Sequence, residues 1–129
     1  MNIKNEIACD ITTLTPEELK HTAKISFELF ASVQEVRNLS DGYALRLNEA
    51  KDTLSKLFEF ITYDRLCCPF VVHTVVVEAK GGHLWLHLTG AEGVKNFITS
   101  EFMSFPNDVL AARFKKEISD YAGESGKIM

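Results

Sequence analysis

The sequence predicts an α+β fold: a four-stranded antiparallel sheet with helices packed on one face, in the order α-ββ-α-ββ-α-α. Three observations lead there. Tyr43, Leu45 and Leu47 alternate with Ala44, Arg46 and Asn48, and Leu84, Leu86 and Leu88 with His83, Trp85 and His87, the period of a half-buried strand. Each follows a glycine turn, Asp41-Gly42 or Gly81-Gly82, that joins it to a preceding strand as a hairpin. Before, between and after these hairpins, apolar residues recur at the spacing of amphipathic helices.

The elements follow in order. Residues 1–14 are weakly patterned, and Ile7 to Ile11 reads as either a short edge strand or a docked arm. Thr15-Pro16-Glu17-Glu18 opens a helix: Thr15 caps it, Pro16 occupies the first turn where its missing N–H costs nothing, and Glu18 completes a capping box. Leu19, Ala23, Phe27, Phe30 and Ala31 continue at helical spacing, widened by Ile25 and Leu29, over residues 16–32. A weakly alternating strand at 33–39 turns at Ser40-Asp41-Gly42 into the strand beginning at Tyr43. Asn48 is placed to cap the next helix, whose stripe is Leu54, Leu57, Phe58 and Ile61, with Phe60, Tyr63 and Cys67 along a second edge. Pro69 disfavours helical geometry at Cys68, so this helix should end near Cys67.

Val71 to Val77 is rich in β-branched residues and reads as a strand, and the second hairpin returns through Leu84, Leu86 and Leu88. Thr89-Gly90-Ala91-Glu92-Gly93 leads into a helix carrying Val94, Phe97, Ile98 and Phe102. A last helix runs from Asn107 to Tyr121 on Leu110, Phe114, Ile118 and Tyr121. Residues 1–122 make one domain, and 123–129 a frayed tail. Residues 33–66 and 71–104 share one plan, strand, glycine turn, strand, polar cap and striped helix, a weak internal ββα duplication.

With 129 residues, 46% hydrophobic and 25% charged, the chain has the composition of an ordinary globular domain large enough to bury its own core. A net charge of −4, with no basic cluster longer than Lys115-Lys116, argues against nucleic acid as a partner. No apolar run approaches the roughly 18 residues of a membrane span, and the N-terminus lacks the pattern of a signal peptide. Three cysteines, an odd number, without an export signal are expected to be reduced thiols in the cytoplasm.

The unusual chemistry gathers in Asp64-Arg65-Leu66-Cys67-Cys68-Pro69-Phe70. Adjacent thiols on a regular helix diverge by about 100°. A helix that stops at Cys67, with Cys68 extended before Pro69, lets the two sulfurs converge. Two soft ligands then suit a thiophilic metal or metalloid ion. A closed zinc site asks for two more ligands, for which His73, His87 and, if the arm folds back, Cys9 are the candidates. A redox or nucleophilic thiol is disfavoured, because the negative helix end and Asp64 both oppose the thiolate. A third reading makes Cys67 and Cys68 small apolar residues buried at a crowded corner. No catalytic residues are assigned, since no Ser-His-Asp arrangement is legible, and a binding or structural role is preferred to an enzyme.

His83, Trp85 and His87 share the strand face opposite the leucines and are assigned as an interface or ligand face, with a homodimer expected there. His73 has the opposite parity and should face the core near the cysteines. Gly90-Ala91-Glu92-Gly93 reads as a plain strand-to-helix turn, since Glu92 would repel an anion. The small-molecule ligand is not specified by the sequence.

The motif Asp64-Arg65-Leu66-Cys67-Cys68-Pro69-Phe70, followed by Gly81-Gly82-His83-Leu84-Trp85-Leu86-His87-Leu88-Thr89-Gly90-Ala91-Glu92-Gly93, resembles a group of small uncharacterised bacterial proteins. Their pattern has Glu-Arg before Cys-Cys-Pro-Phe and Leu-Thr-Gly-Pro-Glu-Gly after the second hairpin. Asp64 and Ala91 are the departures, and the resemblance spans residues 15–104. It implies a small α+β domain and assigns no substrate.

Overall fold

The computed structural model describes residues 7–117. In them a four-stranded antiparallel sheet carries helices on one face, in the expected order. A turn of 3-10 helix at Ile11–Thr13 precedes α1 (Pro16–Ala31), the hairpin of β1 (Glu35–Leu39) and β2 (Gly42–Leu47), and α2 (Thr53–Cys67). The hairpin of β3 (Val72–Val77) and β4 (Leu84–Thr89) follows, then α3 (Val94–Met103). Residues 108–117 are helical and are labelled α4; the remainder of the expected last helix and the tail at 123–129 lie outside the described residues.

The capping box at the start of α1 forms as its residues dictate: the Glu18 N–H donates to Thr15 Oγ1 at 3.1 Å and the Thr15 N–H to Glu18 Oε1 at 2.9 Å, an arrangement worth about 1 kcal/mol. Asn48 does not cap α2. Its side-chain oxygen accepts from the Ala50 N–H and the Thr53 hydroxyl, holding a turn that delays the helix to Thr53.

The buried stripes are narrower than the apolar patterns in the sequence. On α1 the sheet is met by Ile25, Leu29 and Phe30, while Ala23 and Phe27 are exposed and Phe27 stacks on Phe105 at 5.9 Å. On α2 the buried residues are Thr53, Leu57, Phe60 and Cys67, spaced so that they lie along one side; Phe58 is half exposed. The inward line of α2 therefore takes Leu57 from the first stripe and Phe60 and Cys67 from the second edge, and it delivers Cys67 to the interior.

The sheet order is β1-β2-β4-β3, so the two hairpins meet through their second strands, from Gly42 opposite Thr89 to Leu47 opposite Leu84. Gly42 is part of this central pairing. A Cβ there would fall 1.9 Å from the Leu88 carbonyl oxygen, so no side chain fits. Tyr43, Leu45, Leu47, Leu84, Leu86 and Leu88 present the core face. Phe114 of α4 closes the core, stacked on Phe102 with centroids 4.9 Å apart.

The N-terminal segment is a docked arm and not a strand. The Asp10 N–H donates to the Cys67 carbonyl at 2.8 Å, satisfying one of the carbonyls left open at the end of α2. Ile7 packs against Gly93, whose φ of 95° and lack of a side chain make room for it. The arm thus crosses from the end of α2 to the start of α3.

Candidate functional site

The site is built where the arm meets the end of α2. The Cys68 N–H donates to the Asp64 carbonyl at 2.7 Å, closing the helix, and Cys68 itself has left helical geometry at φ −127°, ψ 66°. That break brings Cys67 Sγ to 3.9 Å from Cys68 Sγ. The arm supplies the third sulfur: Cys9 Cα lies 4.9 Å from Cys68 Cα and the two residues form a disulfide. All three Sγ atoms fall within 4.8 Å of one another. Cys67 and Cys68 are 8% and 2% exposed, whereas Cys9 lies on the surface.

The disulfide departs from the reading of all three cysteines as reduced thiols. Its cause is the arm: the Asp10–Cys67 backbone bond fixes Cys9 beside Cys68, an approach that spacing along the chain does not reveal. The adjacent cysteines are not bonded to each other, and Cys67 is a free, buried thiol.

Electrostatics at this corner are negative. Burial pushes the Cys67 thiol above its ordinary value, and the carboxylates of Asp64 and Asp10 push it the same way. The partial negative charge at the end of α2 acts alongside them. Such a setting holds Cys67 protonated in the absence of a cation and favours a cation that replaces the proton.

His73 faces inward, as its parity predicts, paired across the sheet with Leu88. Its Nε2 lies 2.7 Å from Asp64 Oδ2, with the side chain 7% exposed and the ring edge-on to Phe60 at 6.1 Å. It is thus the hydrogen-bonded partner of Asp64 and stands outside the three-sulfur group. Through Asp64 it helps fix the last turn of α2.

His83, Trp85 and His87 do not join this site. Trp85 pairs with Arg46 and Val76, and His87 with Ala44 and Thr74, across the outer face. Trp85 is only 5% exposed, because the Arg37 guanidinium lies 4.5 Å above its ring. Arg37 is in turn held by Glu35, which also binds Arg46. His83 stands at the end of the hairpin, 3.4 Å from Glu49. Gly90 to Gly93 form the plain turn that was expected, occupied by Val94 and Ile7.

The cavity beside the sulfurs leaves little mark on the sequence. Cys9 and Cys68 line a space of about 170 Å³ together with Phe30, Phe60, Phe97 and Phe102. Nine phenylalanines in 129 residues were its only trace, and four of these came from α1, α2 and α3, too far apart in sequence to be associated.

Comparison of the chain with protein-family models, with curated proteins and with solved structures finds no match.

Proposed function

We propose that this protein binds a soft metal or metalloid ion through Cys9, Cys67 and Cys68, with the Cys9–Cys68 disulfide as its ligand-free, oxidised form. One observation carries the reading: three sulfurs from two distant parts of the chain converge at one corner, all within 4.8 Å. Thiolates about 2.3 Å from a shared ion sit about 3.8–4.0 Å from each other in tetrahedral or trigonal geometry. The Cys67–Cys68 separation of 3.9 Å already has that value. Reduction of the disulfide releases Cys9 and Cys68 to complete the set, and the negative end of α2 favours the positive charge. Three thiolates suit Cu(I), Hg(II) or As(III) better than ions that prefer oxygen.

The test is an anaerobic titration of the reduced chain with arsenite and with Cu(I), counting thiols accessible to a disulfide reagent. One ion per chain should protect three thiols, and Cys9→Ser, Cys67→Ser and Cys68→Ser should each weaken binding. Thiols that titrate identically with and without ion would refute the reading. Rapid, peroxide-dependent oxidation of one thiol in the absence of ion would support a redox enzyme, against which the upward push on Cys67 argues.

A dimeric structural domain is a separate reading, favoured by the exposed Val72, Val76 and Val77 on the edge strand β3. Sedimentation of the purified chain tests it: a monomer at micromolar concentration would exclude it.

A further inference from the structure

The cavity beside the sulfurs is far larger than a thiolate-bound ion requires. Its wall includes Cys9 and Cys68 but not Cys67, and most of the rest is hydrocarbon from Phe30, Phe60, Phe97, Phe102 and their neighbours. Polar groups enter it through Ser26, Asp64 and Glu101, and Asp64 is already paired with His73. A cavity of roughly 150 Å³ lined by Leu, Ile and Phe holds a benzene ring, and this one measures about 170 Å³. Phe30 already stands edge-on to Phe60 and Phe102, at 5.0 and 4.8 Å, the arrangement by which aromatic rings receive another ring.

We propose that this cavity receives the aryl group of a trivalent organoarsenical whose arsenic is bound by Cys9 and Cys68. The proposal rests on the thiol-ligation reading above and names the ligand class for the same corner. An inorganic ion would leave the aromatic space unused. Arsenic carrying one carbon substituent has two remaining valences, the number of cysteines that reach the cavity. Cys67, buried and 3.9 Å from Cys68, is left as the third ligand for ions without an organic group.

The chemistry balances without a change in the oxidation state of arsenic. A small monothiol reduces the disulfide first: two molecules supply two electrons and two protons, leave as their own disulfide, and generate the Cys9 and Cys68 thiols. Exposure of Cys9 gives the reductant access. Phenylarsenous acid, with one phenyl and two hydroxyl groups on As(III), then exchanges both hydroxyls for sulfur. Two As–S bonds form, two As–O bonds break, and the thiol protons leave in two waters. The As–C bond stays intact and directs the ring into the cavity.

The experiment measures binding of phenylarsenous acid, methylarsenous acid and arsenite to the reduced full chain by calorimetry, each referenced to its affinity for a small free dithiol. Phenylarsenous acid should exceed methylarsenous acid by about a hundredfold, from the extra apolar surface removed from water. Ser26→Phe, which fills the cavity without altering a sulfur, should erase that ratio while leaving the methyl compound bound as before; unchanged methyl affinity also shows that the variant is folded. Cys67→Ser should hold phenylarsenous acid within about threefold of wild type, whereas Cys9→Ser should lose it. Fluorobenzene, followed by its fluorine resonance, should bind wild type and be displaced by phenylarsenous acid. Equal affinities for the phenyl and methyl compounds, both indifferent to Ser26→Phe, would overturn the cavity assignment and leave thiol ligation standing. Failure of all three arsenic compounds to bind the reduced chain would overturn thiol ligation itself, and this proposal with it.

Discussion

Reducing the Cys9–Cys68 disulfide should destabilise the fold by an amount set largely by the loop it closes. The two residues are separated by 59 positions. In the chain-entropy account, opening a loop of that length returns to the unfolded chain freedom worth about 4 kcal/mol at 25 °C. That figure is an upper value, since residual structure in the unfolded chain reduces it, so a loss of about 2–4 kcal/mol is expected. At about 4 °C per kcal/mol for a domain of this size, the midpoint of thermal unfolding should fall by roughly 8–16 °C. The assay is urea unfolding with and without a thiol reductant, followed through Trp85, the one tryptophan, and by far-ultraviolet circular dichroism. Cys9→Ser should match the reduced wild type and ignore the reductant. Cys67→Ser should keep the full difference, because Cys67 is outside the bond. Oxidised wild type, reduced wild type and Cys9→Ser unfolding at the same urea concentration would refute the arm-to-helix crosslink.

Two further predictions follow from neighbouring features. Because Cys67 holds its proton above the ordinary thiol value of 9.0, its contribution to stability is intact below that value and declines as pH rises through it, where the unfolded chain releases a proton that the fold retains; urea unfolding across that range should show wild type losing stability relative to Cys67→Ser, and parallel pH profiles would refute the assignment. Arg37→Ala should uncover the Trp85 ring and shift its emission to longer wavelength, with a stability loss of about 1 kcal/mol; an unchanged spectrum would mean that the guanidinium does not cover the ring in solution.

The sheet was legible because its information is local. Large apolar residues at every second position around Leu45 and Leu86 and glycine turns at Gly42 and Gly82 specify two hairpins within short windows, and Pro69 specifies the end of α2 within a residue. The inner face of α2 was less so, because its apolar residues cover both Leu54–Leu57–Phe58–Ile61 and Phe60–Tyr63–Cys67, and periodicity alone does not say that the buried line takes Leu57 from one and Phe60 and Cys67 from the other; the packing of α1, through Phe30 on Phe60, contributes to that choice. His73 was readable by strand parity, but its partner Asp64 was not, since the pair joins β3 to the preceding helix. Trp85 shows the same. Parity places it opposite the leucines, but parity does not show that Arg37, two strands away in the sheet, folds over its ring.

The Cys67-Cys68 pair is visible in the sequence, but the third sulfur of the corner, Cys9, comes from an arm whose sequence is weakly patterned. This origin has an energetic consequence. The arm is tied to the domain by the Asp10–Cys67 backbone bond, by Ile7 against Gly93, and by the sulfur of Cys9. In the oxidised protein the disulfide supplies the covalent tie and also engages two of the three sulfurs. On the proposed ligation a bound ion would supply the tie in the reduced protein, and the free energy of ligation would include that of docking the arm. Redox state, arm docking and ligand binding would then form one linked equilibrium. A ligand present at a hundred times its dissociation constant would restore about 2.7 kcal/mol, most of what reduction of the disulfide removes.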